Sequence, residues 1–386
     1  MPDGTDQPAI TVHSSMAEIA AAEWDALAGT GNPFVRHAFL NALEQSGSAV
    51  AETGWHPRHL VARRADGTVV AAAPLYLKSH SFGEYVFDWG WADAWQRAGG
   101  RYYPKLQCAI PFTPVTGPRL LIRPGEDAGE MRRLLATAMV RLAGRLDASS
   151  VHVTFPGRDE WETLAGAGFL KRLGSQYHWR NDGYDSFDDF LGALSSRKRK
   201  AIRKERDAVA RQDLTITTLV GSDIKPHHWD VFHRFHQSVV DRKWGKAYLK
   251  REFFECLSAS ELGEKAVLVW AEQDGRPLGA AFNMLGGDTL FGRTWGAGPH
   301  VEFLHFEACY YRAIDFAISH RLARVEAGAQ GEHKVSRGYL PTPTYSAHWI
   351  ADPGFRAAVA HFLDHERPLI EEDMADQLAD GPFRKD

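Results

Sequence analysis

Apolar residues at three- and four-residue steps, Phe303, Phe306, Tyr310, Ile314, Ala317 and Ile318, predict a long amphipathic helix over residues 303–320. A strand precedes it and ends in Arg293-Thr294-Trp295-Gly296-Ala297-Gly298. A short strand over 323–327 follows and opens into Gly328-Ala329-Gln330-Gly331-Glu332-His333-Lys334, where ionisable side chains crowd beside glycines that let a ligand approach the backbone. Earlier in the chain the pattern predicts helices over 15–28, 36–45 and 128–146. Strands over 59–64 and 69–77 flank Ala65-Asp66-Gly67-Thr68, a hairpin signal because glycine after aspartate supplies a positive φ. Helices over 185–194 and 197–211 follow, with Ser195-Ser196 as the N-cap of the second.

The pattern repeats. Leu60-Val61, Asp66-Gly67 and Ala72-Ala73 return as Leu268-Val269, Asp274-Gly275 and Ala280-Ala281, offset by 208, and Gly168-Phe169-Leu170 and His178-Trp179 return as Gly338-Tyr339-Leu340 and His348-Trp349, offset by 170. Constant offsets within each block imply two copies of one α/β fold with mixed sheets. The halves divide near Arg180-Asn181-Asp182-Gly183 into 1–182 and 183–386. The change of offset places an insertion in the first half within 81–121. That stretch holds Phe82, Tyr85, Phe87, Trp89, Trp91, Trp95, Tyr102, Tyr103 and Phe112, either as a satellite core or as an amphipathic wall for a ligand.

A length of 386 residues fits two ordinary domains. With 45 basic and 49 acidic residues, nothing global argues for nucleic acid or an anionic membrane, and DNA is not an expected partner. One local patch does: residues 197–206 carry seven bases in ten, which suit a solvated helix, the phosphates of CoA or substrate, anionic lipid, or RNA. Three scattered cysteines fit a reducing compartment, and the lack of a leader pattern or a run of about 18 apolar residues points to a soluble, cytoplasmic protein, peripheral to the inner membrane at most. His233-x-x-His236 and His361-x-x-x-His365 have no acidic or cysteine ligand to complete a metal set, so no metal is expected. No nucleophile elbow occurs, and a covalent acyl-enzyme is not expected.

Arg293-x-x-Gly296-x-Gly298 resembles the pyrophosphate loop of GNAT acyltransferases, and two such halves with a basic helix opening the second resemble the Fem-like branch of that superfamily. The runs GWHPRHL, FGEYVFDWGWADAW, YYPKLQCAIPFTPVTGPRLL, SSRKRKAIRKER and RGYLPTPTYSAHWI extend the likeness, over nearly the whole chain, to predicted N-acyltransferases of peptidoglycan biosynthesis or recognition. The resemblance implies a tandem duplication of a GNAT-like fold with mixed, mainly antiparallel sheets flanked by helices. It implies donor contacts at Arg293, Trp295, Gly296, Gly298 and Lys334, and substrate contacts at Asp88, Trp89, Trp91, Tyr103, Lys105, Gln330 and Arg337. Two features depart from it: Pro299-His300-Val301-Glu302 intervene before the helix, and 195–260 offers no helical-hairpin arm, which argues against a tRNA donor.

Comparison of the halves isolates the chemistry. At the 170 offset Glu326, His333 and Lys334 face Pro156, Thr163 and Leu164, and Gln330 faces Glu160, so the second half alone has the polar cluster. His305 and Glu307 join it from the start of the helix, and His305, Glu307, Glu326, Glu332 and His333 are the candidates for proton transfer during acyl transfer. The plainer reading of each is capping and ion pairing around a tight turn. The expectation is an N-acyltransferase with no tightly bound cofactor, using acyl-CoA or another acyl thioester as co-substrate and a primary amine of a cell-envelope-related or lipid-like acceptor. The donor and chemistry fall to the second half and the acceptor to the first. Rival readings are a Fem-type transferase using aminoacyl-tRNA, a sphingoid-base N-acyltransferase, a non-catalytic peptidoglycan-precursor binding module, and a basic-helix protein of RNA or membrane.

Overall fold

The computed structural model describes residues 7–242, 248–328 and 331–384. Contacts divide the chain into two compact units, Met1–Gly174 with Pro343–Glu371, and Ser175–Thr342 with Glu372–Asp386. These units are not the linear halves 1–182 and 183–386, because two long strands and the last helix each cross from one unit to the other.

The first unit contains β1 (Ala9–His13), β2 (Trp55–Pro57), β3 (His59–Arg63), β4 (Val69–Ala73), β5 (Leu75–Lys78), β6 (Lys105–Cys108), β7 (Leu121–Ile122) and β8 (Ser150–Thr154). One antiparallel sheet has the order β1-β3-β4-β7, and a second row runs β2-β5-β6-β8 with β6 and β8 parallel. The strand expected over 69–77 breaks at Pro74, which has no N–H for a ladder. The helix Ala128–Arg145 covers this core with Leu135, Met139 and Leu142 against Val70, Leu106 and Val151.

The chain leaves through β9 (Leu170–Arg180) and builds β10 (Thr215–Val220), β11 (Ala266–Gln273), β12 (Arg276–Gly286), β13 (Thr289–Ala297) and β14 (Arg324–Glu326). Within the second unit the order is β10-β11-β12-β13-β14-β9, antiparallel except for β13 and β14. It returns through β15 (Leu340–Ile350), whose Ser346 to Ile350 pair with β8, and ends in the helix Pro353–Ala379.

The duplication is visible strand by strand. The 170 offset carries β9 onto β15 from first residue to last, and the 208 offset carries β3 and β4 into β11 and β12. The same offset carries Pro74 onto Phe282, where the β12–β13 register shifts. A break in one copy is thus a bulge in the other. The region 81–121 is not all insertion, however. β6 lies antiparallel to β5 and parallel to β8, as β13 lies to β12 and β14, so this part of it belongs to the repeated scaffold.

The expected helix over 303–320 is interrupted. Phe303 takes φ 60°, Leu304–Phe306 forms one turn, Glu307–Tyr311 is a π-helical turn, and Arg312–Ser319 resumes the α-helix. Only the second part of the helix expected over 15–28 forms as Ala21–Ala28, after a 3-10 turn at Met16–Glu18. Ser195 stands at the N-cap of Ser196–Ala210 without a side-chain cap bond.

Candidate active site

In the second unit β13 parts from its neighbour. Thr289, Leu290 and Phe291 pair with Arg324, Val325 and Glu326 of β14, and beyond them Gly292 to Ala297 are paired with β12. The strands part from a tight contact: a Cβ on Gly292 would lie 3.0 Å from Glu326 O and 3.6 Å from Ala327 Cα. Arg293 is the bulged residue, since Thr294 faces Phe282 and Gly292 faces Asn283. The β13–β14 ladder thus ends at the Phe291–Glu326 pair. A pocket of about 370 Å³ adjoins the end of β13, lined by Trp295, Gly298, His300, Phe303, His305 and Phe306.

His305 and His333, separated by 28 residues of sequence, come together there. Their ring centres are 6.3 Å apart, and His305 is 5.6 Å from Trp295 and 5.4 Å from Tyr310. Tyr310 Oη and His333 Nε2 lie 3.0 Å apart. Burial, with Cys309 beside it, pushes the Tyr310 phenol up and keeps it protonated, while burial and then the charges of Arg337 and Lys334 push His333 down and keep it neutral. A neutral imidazole beside a protonated phenol can accept a proton and return one. Tyr310 escaped the sequence reading because it fits the apolar helical period; the π-turn that brings it to His333 leaves no signal in the pattern.

Glu326, where the strands part, is 4% exposed. Burial pushes its carboxyl up to about 7 against the pull of Arg324, and Oε2 has no hydrogen bond, with His178 Nε2 3.8 Å away. Lys334 donates to Ala327 O at 2.7 Å and Gly328 O at 3.0 Å, and burial lowers it to about 8. Its ammonium thus holds the turn after β14 rather than facing solvent.

Other expected residues are engaged elsewhere. Glu307 is buried and paired with Arg206 at 3.1 Å and Arg312 at 2.9 Å, which favours the plainer reading of it. Arg337 stacks its guanidinium 3.5 Å over Phe306 and donates to Glu205 at 2.8 Å and Tyr311 Oη at 3.0 Å. A Cβ at Gly296 would meet His236 N at 2.8 Å and at Gly298 Phe235 Cε1 at 2.9 Å, so both glycines admit the helix Pro226–Arg242. The Gly298 N–H is already donated to Leu278 O. Gln330 and the side chain of Glu332 lie outside the described residues. Of the seven bases in 197–206, Arg203 pairs with Asp188 and Arg206 with Glu307 and Asp315, while Arg197, Lys200 and Lys204 stand exposed on one face.

In the first unit Asp88 and Lys105 are buried in ion pairs. Lys105 Nζ donates to Ser81 at 2.9 Å, to Glu84 at 2.8 Å and to Asp88, and Tyr102 donates to Asp88 at 2.6 Å. Burial alone would raise Asp88, but Lys105 and His152 overcome it and hold the carboxyl low. Trp91 is buried 4.9 Å from the His348 ring, and Tyr103 meets Ser81 at 2.8 Å. Phe82, Phe87 and Trp89 are exposed, so the aromatic stretch is partly core and partly open wall. Among the described residues no cluster of histidine, cysteine and carboxylates could hold a metal, and no helix is long and apolar enough to cross a membrane.

A family model described as peptidoglycan biosynthesis/recognition, FemAB-like, matches residues 15–385. No curated protein matches the chain. Among solved structures the chain is similar to FemX, at 12% identity over 91% of this chain and 100% of that one with a TM-score of 0.56. It is also similar to L-PGS from Bacillus licheniformis, at 10% identity over 87% and 98% with a TM-score of 0.52, and to a conserved protein of unknown function from Bacteroides thetaiotaomicron, at 12% over 89% and 100% with 0.51. These likenesses carry the fold: with the internal repeat, the architecture is α/β, a tandem duplication of a GNAT-like fold. Since the family model spans all but the first 14 residues and the last, the chain belongs to the FemAB-like family.

Proposed function

We propose that the chain is an N-acyltransferase that moves an acyl group from an acyl thioester to a primary amine by direct attack. The observation that carries this reading is the end of the β13–β14 ladder at Phe291, beyond which β13 leads to a pocket walled by Trp295, His305 and Phe306 and to a neutral imidazole and a protonated phenol. An extended thioester arm has amides that pair with strand backbone as another strand would, and the place where two parallel strands part suits it. The amine nitrogen attacks the thioester carbonyl, a C–N bond forms, and the C–S bond breaks. His305 takes the proton that the nitrogen loses, Tyr310 supplies one to the leaving sulfur, and His333 beside Tyr310 restores it. Glu326, buried where the strands part, is near half-ionised at neutral pH.

The acceptor is a cell-envelope-related or lipid-like amine. The family's description and the exposed Phe82, Phe87 and Trp89 support that choice, since an apolar acceptor would lie against aromatic surface. Transfer from aminoacyl-tRNA is less well supported: among the described residues of 196–260, helix, strand and two further helices follow one another and no hairpin arm is seen.

The test is thiol release from acyl-CoA with a panel of amines. His305→Ala should bind donor as the wild type does, lose about a hundred- to ten-thousand-fold in turnover at pH 7, and regain part of it as pH rises and free amine accumulates. Turnover of that variant near the wild-type rate would remove His305 from the proton path. A wild-type protein that releases no thiol with any amine would leave the precursor-binding module as the reading. Trp89→Ala should raise the acceptor KM and spare the donor KM; the reverse would assign the first unit to the donor.

A further inference from the structure

In the first unit, the loop between β5 and the helix Trp89–Arg97 is built inside out. Its polar side chains Ser81, Glu84 and Asp88 are buried, whereas Phe82, Phe87 and, just after it, Trp89 are 57%, 49% and 41% exposed. Residues 79–88 form neither helix nor strand, and side chains from beneath fix their backbone instead. Lys78 Nζ donates to Phe82 O at 3.0 Å, and Lys105 Nζ donates to Ser81 at 2.9 Å, to Glu84 at 2.8 Å and to Asp88. Arg172 donates to Phe87 O at 2.8 Å. Gly83, at φ 81°, lies so close to the core that a Cβ there would meet Phe112 Cε1 at 2.6 Å. A loop that merely capped the core would turn its rings inward and its charges outward. Here buried ion pairs hold aromatic rings in solvent, which marks the rings as a contact surface.

Among the described residues the large exposed aromatic side chains are these three and Phe362, and all four belong to one face of the first unit. The Phe82 and Trp89 rings are 5.0 Å apart, and Phe362 lies 6.4 Å from Trp91, on the same helix as Trp89. Charges beside them are matched in pairs, Asp93 with Arg97 at 2.6 Å and Arg172 with Glu366 at 2.7 Å. The face is therefore apolar and close to neutral, and it gives a polyanion such as nucleic acid no hold. Four aromatic side chains exposed by about half offer on the order of 400 Å², half of the roughly 800 Å² that each partner of a stable dimer buries. Rings this exposed project from the surface instead of lining a hollow, and a bilayer closes around projecting rings without a matching socket. Since no helix among the described residues is long and apolar enough to cross a membrane, such contact is with its surface.

We propose that this face seats the first unit on a lipid bilayer, with Phe82, Phe87 and Trp89 in the layer between headgroups and acyl chains. The use of such docking rests on the lipid-like acceptor, which would meet Trp89 as it leaves that layer; the docking itself is measured without donor or acceptor, so it and thiol release stand or fall separately. Co-sedimentation of the whole protein with phosphatidylcholine vesicles should show partition that persists at high salt, and adding phosphatidylglycerol should change it little. Phe82→Ser, Phe87→Ser and Trp89→Ser should each unfold near the wild-type temperature and weaken partition about tenfold, the effect of one half-exposed ring leaving the apolar layer. Trp89→Phe should bind as the wild type does and lose most of the quenching of tryptophan fluorescence by bromine-labelled phosphatidylcholine. Lys200→Glu with Lys204→Glu, on the basic helix of the second unit, should leave partition onto phosphatidylcholine unchanged. No partition up to millimolar lipid overturns the proposal, as does wild-type partition in all three serine variants. Binding confined to anionic vesicles and abolished by salt overturns it in favour of the basic helix. A dimer that forms without lipid and that the serine variants dissociate, read by sedimentation equilibrium, overturns it in favour of a second copy. Should a serine variant fail to fold, the quenching of the wild type against that of Trp89→Phe decides it.

Discussion

Glu326 shows how much one residue's chemistry owes to where the chain buries it. The same carboxyl in solvent would titrate near 4.5; inside β14, with Oε2 unbonded, it is pushed up to about 7. The folded state thus holds the proton more tightly than the unfolded chain. Its contribution to stability is fully present below pH 4.5 and is lost as pH rises through 7, with a ceiling of about 3 kcal/mol across that window. Glu326→Gln should remove this dependence: chemical denaturation at pH 5 and pH 8 should give a smaller difference in unfolding free energy for the variant than for the wild type. Equal pH dependence in both would show that the carboxyl is not buried as described. The sequence pointed to Glu326, His333 and Lys334 because the other repeat lacks them, and comparison of copies separates scaffold from chemistry. It could not reveal that Lys334 spends its ammonium on Ala327 O and Gly328 O, or that Arg337 is held by Glu205, since both depend on contacts between distant stretches.

At the scale of elements, β13 carries both the legible and the illegible part of the site. Its glycines read as a phosphate loop in sequence, yet in the fold Gly296 and Gly298 are where the helix Pro226–Arg242 comes closest. A motif of spaced glycines records close approach without saying by what. This changes the outcome expected of substitution there. Gly296→Ala places a methyl group 2.8 Å from the backbone nitrogen of His236 and 2.9 Å from Phe235 Cβ, neither of which is a flexible side-chain end. The helix must shift, and overpacking of this kind costs about 1–3 kcal/mol. Thermal unfolding should therefore begin several degrees lower. A variant as stable as the wild type but weaker for CoA would restore the phosphate-loop reading. The hairpin turns, by contrast, were plain from sequence: Asp274 and Gly275 take φ 49° and 73°, the paired positive angles that an aspartate-glycine turn supplies. The π-turn at Glu307–Tyr311 was not, because one extra residue in a helical turn leaves the apolar period almost unchanged.

Over the whole molecule, the duplication was legible because matched pairs of residues kept constant offsets, whereas the exchange of Pro343–Glu371 into the first unit was not, since strand β15 differs in sequence pattern from β9 in nothing that marks its neighbours. The same limit applies to the aromatic stretch of the first unit. Asp88 and Lys105 read as substrate contacts, and the fold makes them part of a buried set with Glu84, Lys78, Ser81 and Tyr102, in which both lysines are fully buried. The two roles predict different failures. If Lys105 serves the fold, Lys105→Met leaves Asp88 and Glu84 buried without their main counter-charge, a loss of about 3–5 kcal/mol. Adding Asp88→Asn and Glu84→Gln to it removes the stranded charges and should recover a large part of that stability, a non-additivity expected only among groups in contact. If Lys105 instead serves an acceptor, Lys105→Met should unfold near the wild-type temperature and show its damage in the acceptor KM. Equilibrium denaturation of the single, double and triple variants decides between these, because a substrate contact gives no reason for the second and third substitutions to repair the first.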